Sequence, residues 1–248
     1  MSELFERTWP VADAKAGVVI IHGLGEHSGR YEHVAAALNA AGYAVYAHDV
    51  RGHGQSVGSP GDMGTDADVL IDDVVEFVTR IAQSHDKLFL LAHSMGTMLA
   101  LPAVPRIAIG LLDGLILSGC ALEPGAAAAD LITNGAVPPE TLSRDEAVVQ
   151  AYVDDPLVWD TVPPEIFGHT IDIGVKAREA VALVQIPVLL MHGLDDKLCD
   201  IQGSNLVHTE LVITDKTLIA YEGLRHEIFN EPEKDKVLAD LVDWLDKH

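Results

Sequence analysis

"LFLLAHSMGTMLAL", residues Leu88 to Leu101, decides how the rest of the chain is read. One apolar run ends at Ala92-His93-Ser94-Met95-Gly96, and a second begins at once. A strand that turns straight into a helix brings the residues two before and two after the corner almost into contact, so both must be small. Here they are Ala92 and Gly96. Such a turn lifts the Ser94 hydroxyl above the sheet edge and sets the Met95 N–H at a helix N-terminus, a ready site for an anion. The pattern most often has glycine first. Ala92 adds one methyl group, which the turn accepts if this position does not need a positive φ. The competing reading is a serine in an ordinary strand-to-helix turn, and the flanking sequence must separate the two.

Outward from this corner the chain alternates strand and helix. Val18-Val19-Ile20-Ile21 is a short β-branched run ended by His22-Gly23, as expected of a buried strand. Residues 31–41 place apolar side chains at helical spacing, and Gly42 follows where a helix stops. Strand 43–49 runs into the turn Arg51-Gly52-His53-Gly54. In 66–84, Leu70, Val74, Phe77, Val78 and Ile81 share one helical face, with Thr65 and Asp66 as candidate caps. Further strands fall near 87–92, 112–118, 187–192 and 217–221, and a last amphipathic helix spans 233–246. This alternation predicts an α/β fold, a mostly parallel sheet with helices on both faces.

One segment breaks the rhythm. Residues 122–184 hold no clear strand but an alanine-rich stretch, Pro138-Pro139, Pro163-Pro164 and short helical pieces. Some sixty residues are too many for a plain loop in a compact domain. Lying between two core strands, the segment reads as a helical cap over the carboxyl ends of the sheet, where open α/β sheets bind ligands. The expected division is therefore core 1–121, cap 122–184 and core 185–248.

Bulk properties exclude several functions. A net charge of −22 over 248 residues makes nucleic acid an unfavourable partner and opposes docking on anionic membranes. Cys120 and Cys199 form no disulfide framework. The N-terminal "MSELFERTWP" is too polar for a signal peptide, and no apolar run approaches the ~18 residues of a membrane span, so a soluble cytoplasmic protein is expected. No H-E-x-x-H spacing occurs, and neither metal nor cofactor is expected.

A serine nucleophile needs a base, and the base needs an orienting acid. In α/β-hydrolases their chain order is serine, acid, histidine. After Ser94, strand 187–192 ends in "HGLDDKLCD", which offers Asp195, Asp196 and Asp200. The next strand ends in "YEGLRHEIFNEP", which offers His226 in the loop before the last helix. Order and placement both fit, and the corner at Ser94 reads as a nucleophile elbow. His169 and His208 lack such a context. His22 and His53, in turns at the sheet edge, read as structural hydrogen-bonders.

The chain resembles the monoacylglycerol lipases, in the lysophospholipase-like branch of the α/β-hydrolases. The resemblance rests on "HGLGEHSGRYEHVAAAL" at 22–38, "DVRGHGQSVG" at 49–58, "AHSMGTMLAL" at 92–101, "LSRDEAVVQAYVDDPLVW" at 142–159, and the two loops just quoted. It implies Ser94 as nucleophile, His226 as base, and Asp196 rather than Asp195 as acid. It also implies the backbone N–H groups of Leu24 and Met95 as oxyanion donors, and the glycines of "HGLGEH" permit that close approach. Glu26, His27, Ser28, Arg30 and Tyr31 are read as pinning this loop, and Asp49 and Arg51 as bracing the turns beneath it. The chain starts near what would be the family's second strand, so the usual first strand is expected to be absent or very short. Cys199, three residues from Asp196, is read as a buried spectator.

Acyl transfer to water follows from such a triad. Within the cap, Leu131, Ile132, Val148, Val149, Leu157, Val158 and Trp159 suit an acyl-chain tunnel, or equally serve to hold the cap itself together. The resemblance implies a small-molecule ester substrate, a neutral monoacylglycerol, and the negative charge disfavours anionic lysophospholipids. Alternatives on the same scaffold are a short-chain carboxylesterase, a thioesterase or a lysophospholipase. A carbon–carbon hydrolase would not share the "GEHSGRY" block. A non-catalytic ligand-binding protein is the alternative from another class.

Overall fold

The structure is a computed structural model that describes residues 4–58, 61–63, 66–128, 135–159 and 161–248. Seven strands form one sheet: β1 Glu6–Trp9, β2 Ala16–Ile21, β3 Tyr43–His48, β4 Leu88–His93, β5 Gly114–Ser118, β6 Val188–Gly193 and β7 Lys216–Tyr221. Their spatial order is β1-β3-β2-β4-β5-β6-β7. All neighbours pair in parallel except β1, which runs antiparallel to β3.

The central strands read as continuous apolar runs because both faces are covered. In β2 and β4, Val19, Ile21, Leu90 and Ala92 face one core with helices α2 Ala67–Ala82 and α3 Met95–Ala103. The alternate residues Val18, Ile20, Phe89 and Leu91 face a second core with α1 Glu32–Ala40 and the last helix, Lys234–Leu245. The period-2 geometry of a strand sends neighbours to opposite faces, so each run feeds two cores at once. Asp66 caps α2 by accepting from Asp68 N–H; Thr65 lies outside the described residues.

The residue pattern alone predicts no strand at β1; only the resemblance, which sets the chain's start near the family's second strand, leaves room for this short one. Glu6, Arg7, Thr8 and Trp9 alternate exposed and half-buried on a sheet edge and pair with β3 on one side only. Four residues without an apolar run carry no strand signal.

Among its described residues, segment 122–184 consists of helical pieces joined by turns and loops, with one isolated bridge from Pro124 to Cys199. It holds a 3₁₀ turn at Pro139–Thr141, α4 Glu146–Asp154, and α5 Glu165–Ala180 running into a second turn at Val181–Leu183. Helix α5 is not a free lid. Its Ile166, Ile173 and Ala177 are fully buried in the same core as Leu99 of α3, and Lys176 is paired with Asp68 of α2 at 2.8 Å. Among the described residues, the two remaining helices are α6 Ile201–Glu210 and α7 Lys234–Leu245. Among the described residues, no helix is long and apolar enough to cross a membrane.

Candidate active site

Ser94 occupies φ 52°, ψ −122°, between the end of β4 and the start of α3. A non-glycine residue there is strained by about 1–3 kcal/mol, so the surroundings must hold it. Three contacts do. Ser94 N–H donates to Ser118 O at 3.0 Å, and Ser94 O accepts from both the Thr97 N–H at 2.9 Å and the Thr97 hydroxyl at 2.6 Å. Gly96 supplies the tight side of the corner: a β-carbon there would stand 2.5 Å from Ile21 O. Ala92 does not take a positive φ. Its methyl group fits.

His226 and Asp196 meet at the same sheet edge. His226 Nδ1 lies 2.7 Å from Asp196 Oδ2, and since an ionised carboxylate only accepts, the nitrogen donates and Nε2 is left as the acceptor nitrogen. The carboxylate is held from several sides: Oδ1 accepts from the N–H groups of Leu198 and Cys199 at 2.8 and 2.9 Å, and His192 Nε2 stands 3.3 Å from Oδ2. Burial alone would raise the Asp196 pKa, but His226 and these hydrogen bonds hold it well below the usual carboxylate range. For His226, burial alone would lower the pKa, but Asp196, reinforced by Glu227 and Glu26, raises it above the ordinary imidazole value. The other candidate acids stay outside this arrangement. Asp195 is exposed, and Asp200 caps α6 by accepting from Gln202 N–H.

Loop 22–31, expected to carry the oxyanion donor Leu24, is locked by its own polar side chains. His22 bridges Gly23 O and Val50 N–H, both at 2.8 Å, and burial keeps it neutral by lowering its pKa. Glu26 Oε1 accepts from Gly23 N–H at 2.6 Å and from the Tyr31 hydroxyl at 2.8 Å. Asp49 Oδ1 accepts from Ser28 N–H, and His27 reaches Asp155 at 2.9 Å. Arg51 pairs with Asp73. Gly25 sits at φ +74°, where its carbonyl accepts from Trp159 N–H at 2.9 Å. The segment before α5 is thereby tied to the loop carrying Leu24.

A cavity of about 440 Å³ opens over Ser94, within the roughly 300–1,000 Å³ common for small-molecule sites. Leu24, Met95 and His226 line it, as do Glu26, Arg30 and Glu227. A second, mainly apolar part of the lining comes from α3 and α5: Met98, Phe167, Ile171 and Gly174, with Thr170 and Arg178 as its polar members. The tunnel residues expected within the described part of the cap lie elsewhere. Val148, Val149, Leu157 and Trp159 are not among the lining residues. Trp159 is turned away, stacked on His53 with ring centroids 4.0 Å apart. Val158 packs with Leu142, Tyr152 and Leu198. Leu131 and Ile132 lie outside the described residues. The α5 wall had no signal of its own in the sequence, because its inward face depends on how α5 sits on α3. Glu227 was missed as well, because a place next to His226 does not tell a buried glutamate from an exposed one.

Cys199 lines the cavity, with its sulfur within 4.8 Å of the facing Asp196 and His226 atoms. Burial, and then Asp196 and Cys120, push its thiol pKa well up. It is therefore protonated near neutral pH and a poor cation ligand. His93, beside Ser94, is lowered to about 4 by burial and by the His226 ring 4.7 Å away.

The model of a family described as serine aminopeptidase, S33, matches residues 12–233. A monoacylglycerol lipase of Mycolicibacterium smegmatis is 35% identical over 96% of this chain and 91% of its own length. A monoglyceride lipase of Homo sapiens is 33% identical over 98% of this chain and 86% of its own. The crystal structure of Paleococcus ferrophilus monoacylglycerol lipase is similar at TM-score 0.84 and 31% identity, covering 98% of both chains. A family match over most of the chain and relatives of this identity over nearly all of it agree with the sheet order and the elbow: the chain belongs to this serine-hydrolase family and, within the α/β-hydrolases, to the monoacylglycerol lipase-like branch.

Proposed function

We propose that the protein hydrolyses carboxylic esters, with neutral monoacylglycerols as preferred substrates, releasing fatty acid and glycerol. The observation that carries this reading is the mixed lining of the cavity over Ser94. It combines the buried polar groups Glu26, Arg30 and Glu227, which suit a polyol, with a mainly apolar stretch from α3 and α5, which suits an acyl chain. The names of the relatives point the same way.

In this reading Ser94 Oγ attacks the ester carbonyl while His226 Nε2 takes its proton. Negative charge gathers on the carbonyl oxygen, facing the N–H groups of Leu24 and Met95. The imidazolium then gives its proton to the departing glycerol oxygen, which leaves an acyl group on Ser94. Water enters, His226 takes one of its protons, and attack on the acyl carbon releases the fatty acid and restores Ser94. Asp196 stays ionised throughout and stabilises the imidazolium. The core–cap division at 122 and 184 belongs to the same reading, with α5 as the fixed floor of the acyl site.

The test is a ladder of monoacylglycerols against matched p-nitrophenyl esters from C2 to C18, with Ser94→Ala as control. Preference for medium or long monoglycerides supports the proposal. Turnover confined to the shortest esters would reduce the protein to a general carboxylesterase, and silence on the whole ladder would reject hydrolysis.

A further inference from the structure

A chain of buried charges joins the oxyanion loop to the loop of the base. Glu26 accepts from Gly23 N–H at 2.6 Å and from Arg30 Nη1 at 2.9 Å. Arg30 then makes a two-pronged contact with Glu227, Nη1 to Oε1 at 2.5 Å and Nη2 to Oε2 at 2.8 Å. Asn230 Nδ2 donates to Glu227 Oε2 at 2.7 Å, and Glu227 N–H donates to Leu142 O at 2.8 Å. The Arg30 guanidinium lies 4.8 Å over the Tyr152 ring. All three charged side chains are less than a tenth exposed.

Two carboxylates share one guanidinium, so the group carries one uncompensated negative charge. A buried net charge is costly unless an opposite charge lies near, and the nearest cation that the proposed reaction creates is the imidazolium of His226, the residue before Glu227.

We propose that Glu227 is a positioning residue for His226: through Arg30 and Glu26 it locks the base loop to the oxyanion loop, and its charge stabilises the imidazolium. This rests on the reading of Ser94, Asp196 and His226 given above. The groups facing His226 come from four elements. Asp196 faces it from the loop after β6, with the Cys199 thiol beside it; His93 and Ser94 face it from the end of β4, Glu26 and Arg30 from the oxyanion loop, and Glu227 from its own loop. His93, lowered by burial, and Cys199, raised by burial, are uncharged near neutral pH. Asp196, Glu26 and Glu227 remain as anions. Burial opposes ionisation of both glutamates, but Arg30 holds them below their ordinary values.

The experiment titrates the His226 ring directly by NMR in the wild type, Glu227→Gln, Glu227→Asp and Glu26→Gln. On the same proteins kcat/KM for p-nitrophenyl butyrate is followed against pH, with Tm as the measure of fold. That ester carries no glycerol, so loss of a polyol contact alone would not affect it. In Glu227→Gln the His226 midpoint and the acid limb of kcat/KM move to lower pH, and the plateau falls several-fold. Glu227→Asp restores the midpoint, and Glu26→Gln shifts it in the same direction. An unmoved midpoint in both glutamine variants, with activity merely following Tm, would make the chain a brace and overturn the proposal. If Glu227→Gln does not fold, Glu26→Gln and Glu227→Asp decide it on the same readout. Full turnover in Ser94→Ala would instead sink the underlying reading, and the NMR midpoints would remain interpretable.

Discussion

Gly119 stands so close to His226 that a β-carbon on it would lie 3.1 Å from the imidazole Cε1 and 3.2 Å from Nδ1. The residue follows β5, and its φ of +57° suits glycine best. Gly119→Ala therefore meets two obstacles: a strained backbone, costing about 1 kcal/mol, and a ring that must yield by a few tenths of an ångström. Misplacement on this scale is expensive in catalysis. The expected result is a Tm lower by a few degrees with kcat down about tenfold or more. Wild-type kcat in this variant would mean that the imidazole has room the packing does not suggest.

The three aspartates after β6 should separate sharply. Asp196→Asn leaves the shape but lets His226 Nδ1 lose its acceptor and the ring adopt the wrong tautomer, which costs on the order of 10⁴ in kcat in comparable triads. Asp195→Asn, on an exposed side chain, should change kcat less than about threefold. Asp200→Asn retains a capping side chain and should also be mild. Initial rates on one short ester decide all three, and a crippled Asp195→Asn would displace Asp196 as the acid.

The two small residues of the elbow are not equivalent. Gly96→Ala would press its methyl group against Ile21 O at 2.5 Å and His22 O at 2.8 Å, both backbone. Soluble yield and fluorophosphonate labelling of Ser94 should be lost together. Ala92→Gly only removes a methyl group from a buried strand end and should keep labelling, with a stability loss of about 0.5–1 kcal/mol. Equal tolerance of both changes would contradict the corner geometry.

What the sequence made legible follows from where each signal originates. Strands β2 to β6 announced themselves because Val18–Ile21 and Leu88–Ala92 feed both cores, and the elbow did so because its size rule acts on neighbours in sequence. Chain order was enough to name His226. The acid stayed three-way open in the bare sequence, since an N-cap aspartate such as Asp200 and an exposed one such as Asp195 look alike until the loop is folded. Trp159 was misplaced for a similar reason: an indole before α5 is equally apolar whether it faces an acyl chain or stacks on His53. Phe167, Ile171 and Gly174 could not be assigned to a wall before α5 was docked on α3. Glu227, in "RHEIF", resembles any exposed glutamate, and only Arg30 arriving from across the fold makes it a buried one.

Acid should destabilise the protein early. His48 and His93 are fully enclosed, and burial lowers them to about 3 and about 4. In the unfolded chain both protonate near pH 6.5. Below that pH the unfolded state binds protons that the folded state refuses, so stability falls as pH drops from about 6.5 to the folded values, by on the order of 1.4 kcal/mol per unit for each histidine. His226 has the opposite sign. Its raised pKa adds stability below about 6.5 that is lost as pH rises through the folded value. Two neutral histidines outweigh it. Urea midpoints measured between pH 7 and 4.5 should decline steadily; a flat profile over that window would mean that the buried rings are protonated in the folded state.

Chain-length selection should follow α5 and not Trp159. Phe167 lines the cavity from α5, so Phe167→Ala enlarges its apolar part. Its optimum on a monoacylglycerol ladder should move to longer chains. Ile171 also lines the cavity but is largely exposed, which sets it at the mouth. Ile171→Trp should therefore penalise the longest chains first and leave short p-nitrophenyl esters untouched. Trp159→Ala acts by another route. It removes a buried indole stacked on His53 and opens a void between the segment before α5 and the turn at 51–54. The expected cost is about 3–5 kcal/mol of stability, with the shape of the chain-length profile preserved in whatever protein remains folded. If Trp159→Ala reshaped the profile while Phe167→Ala did not, the acyl chain would have to run toward His53 and away from the α3–α5 cleft.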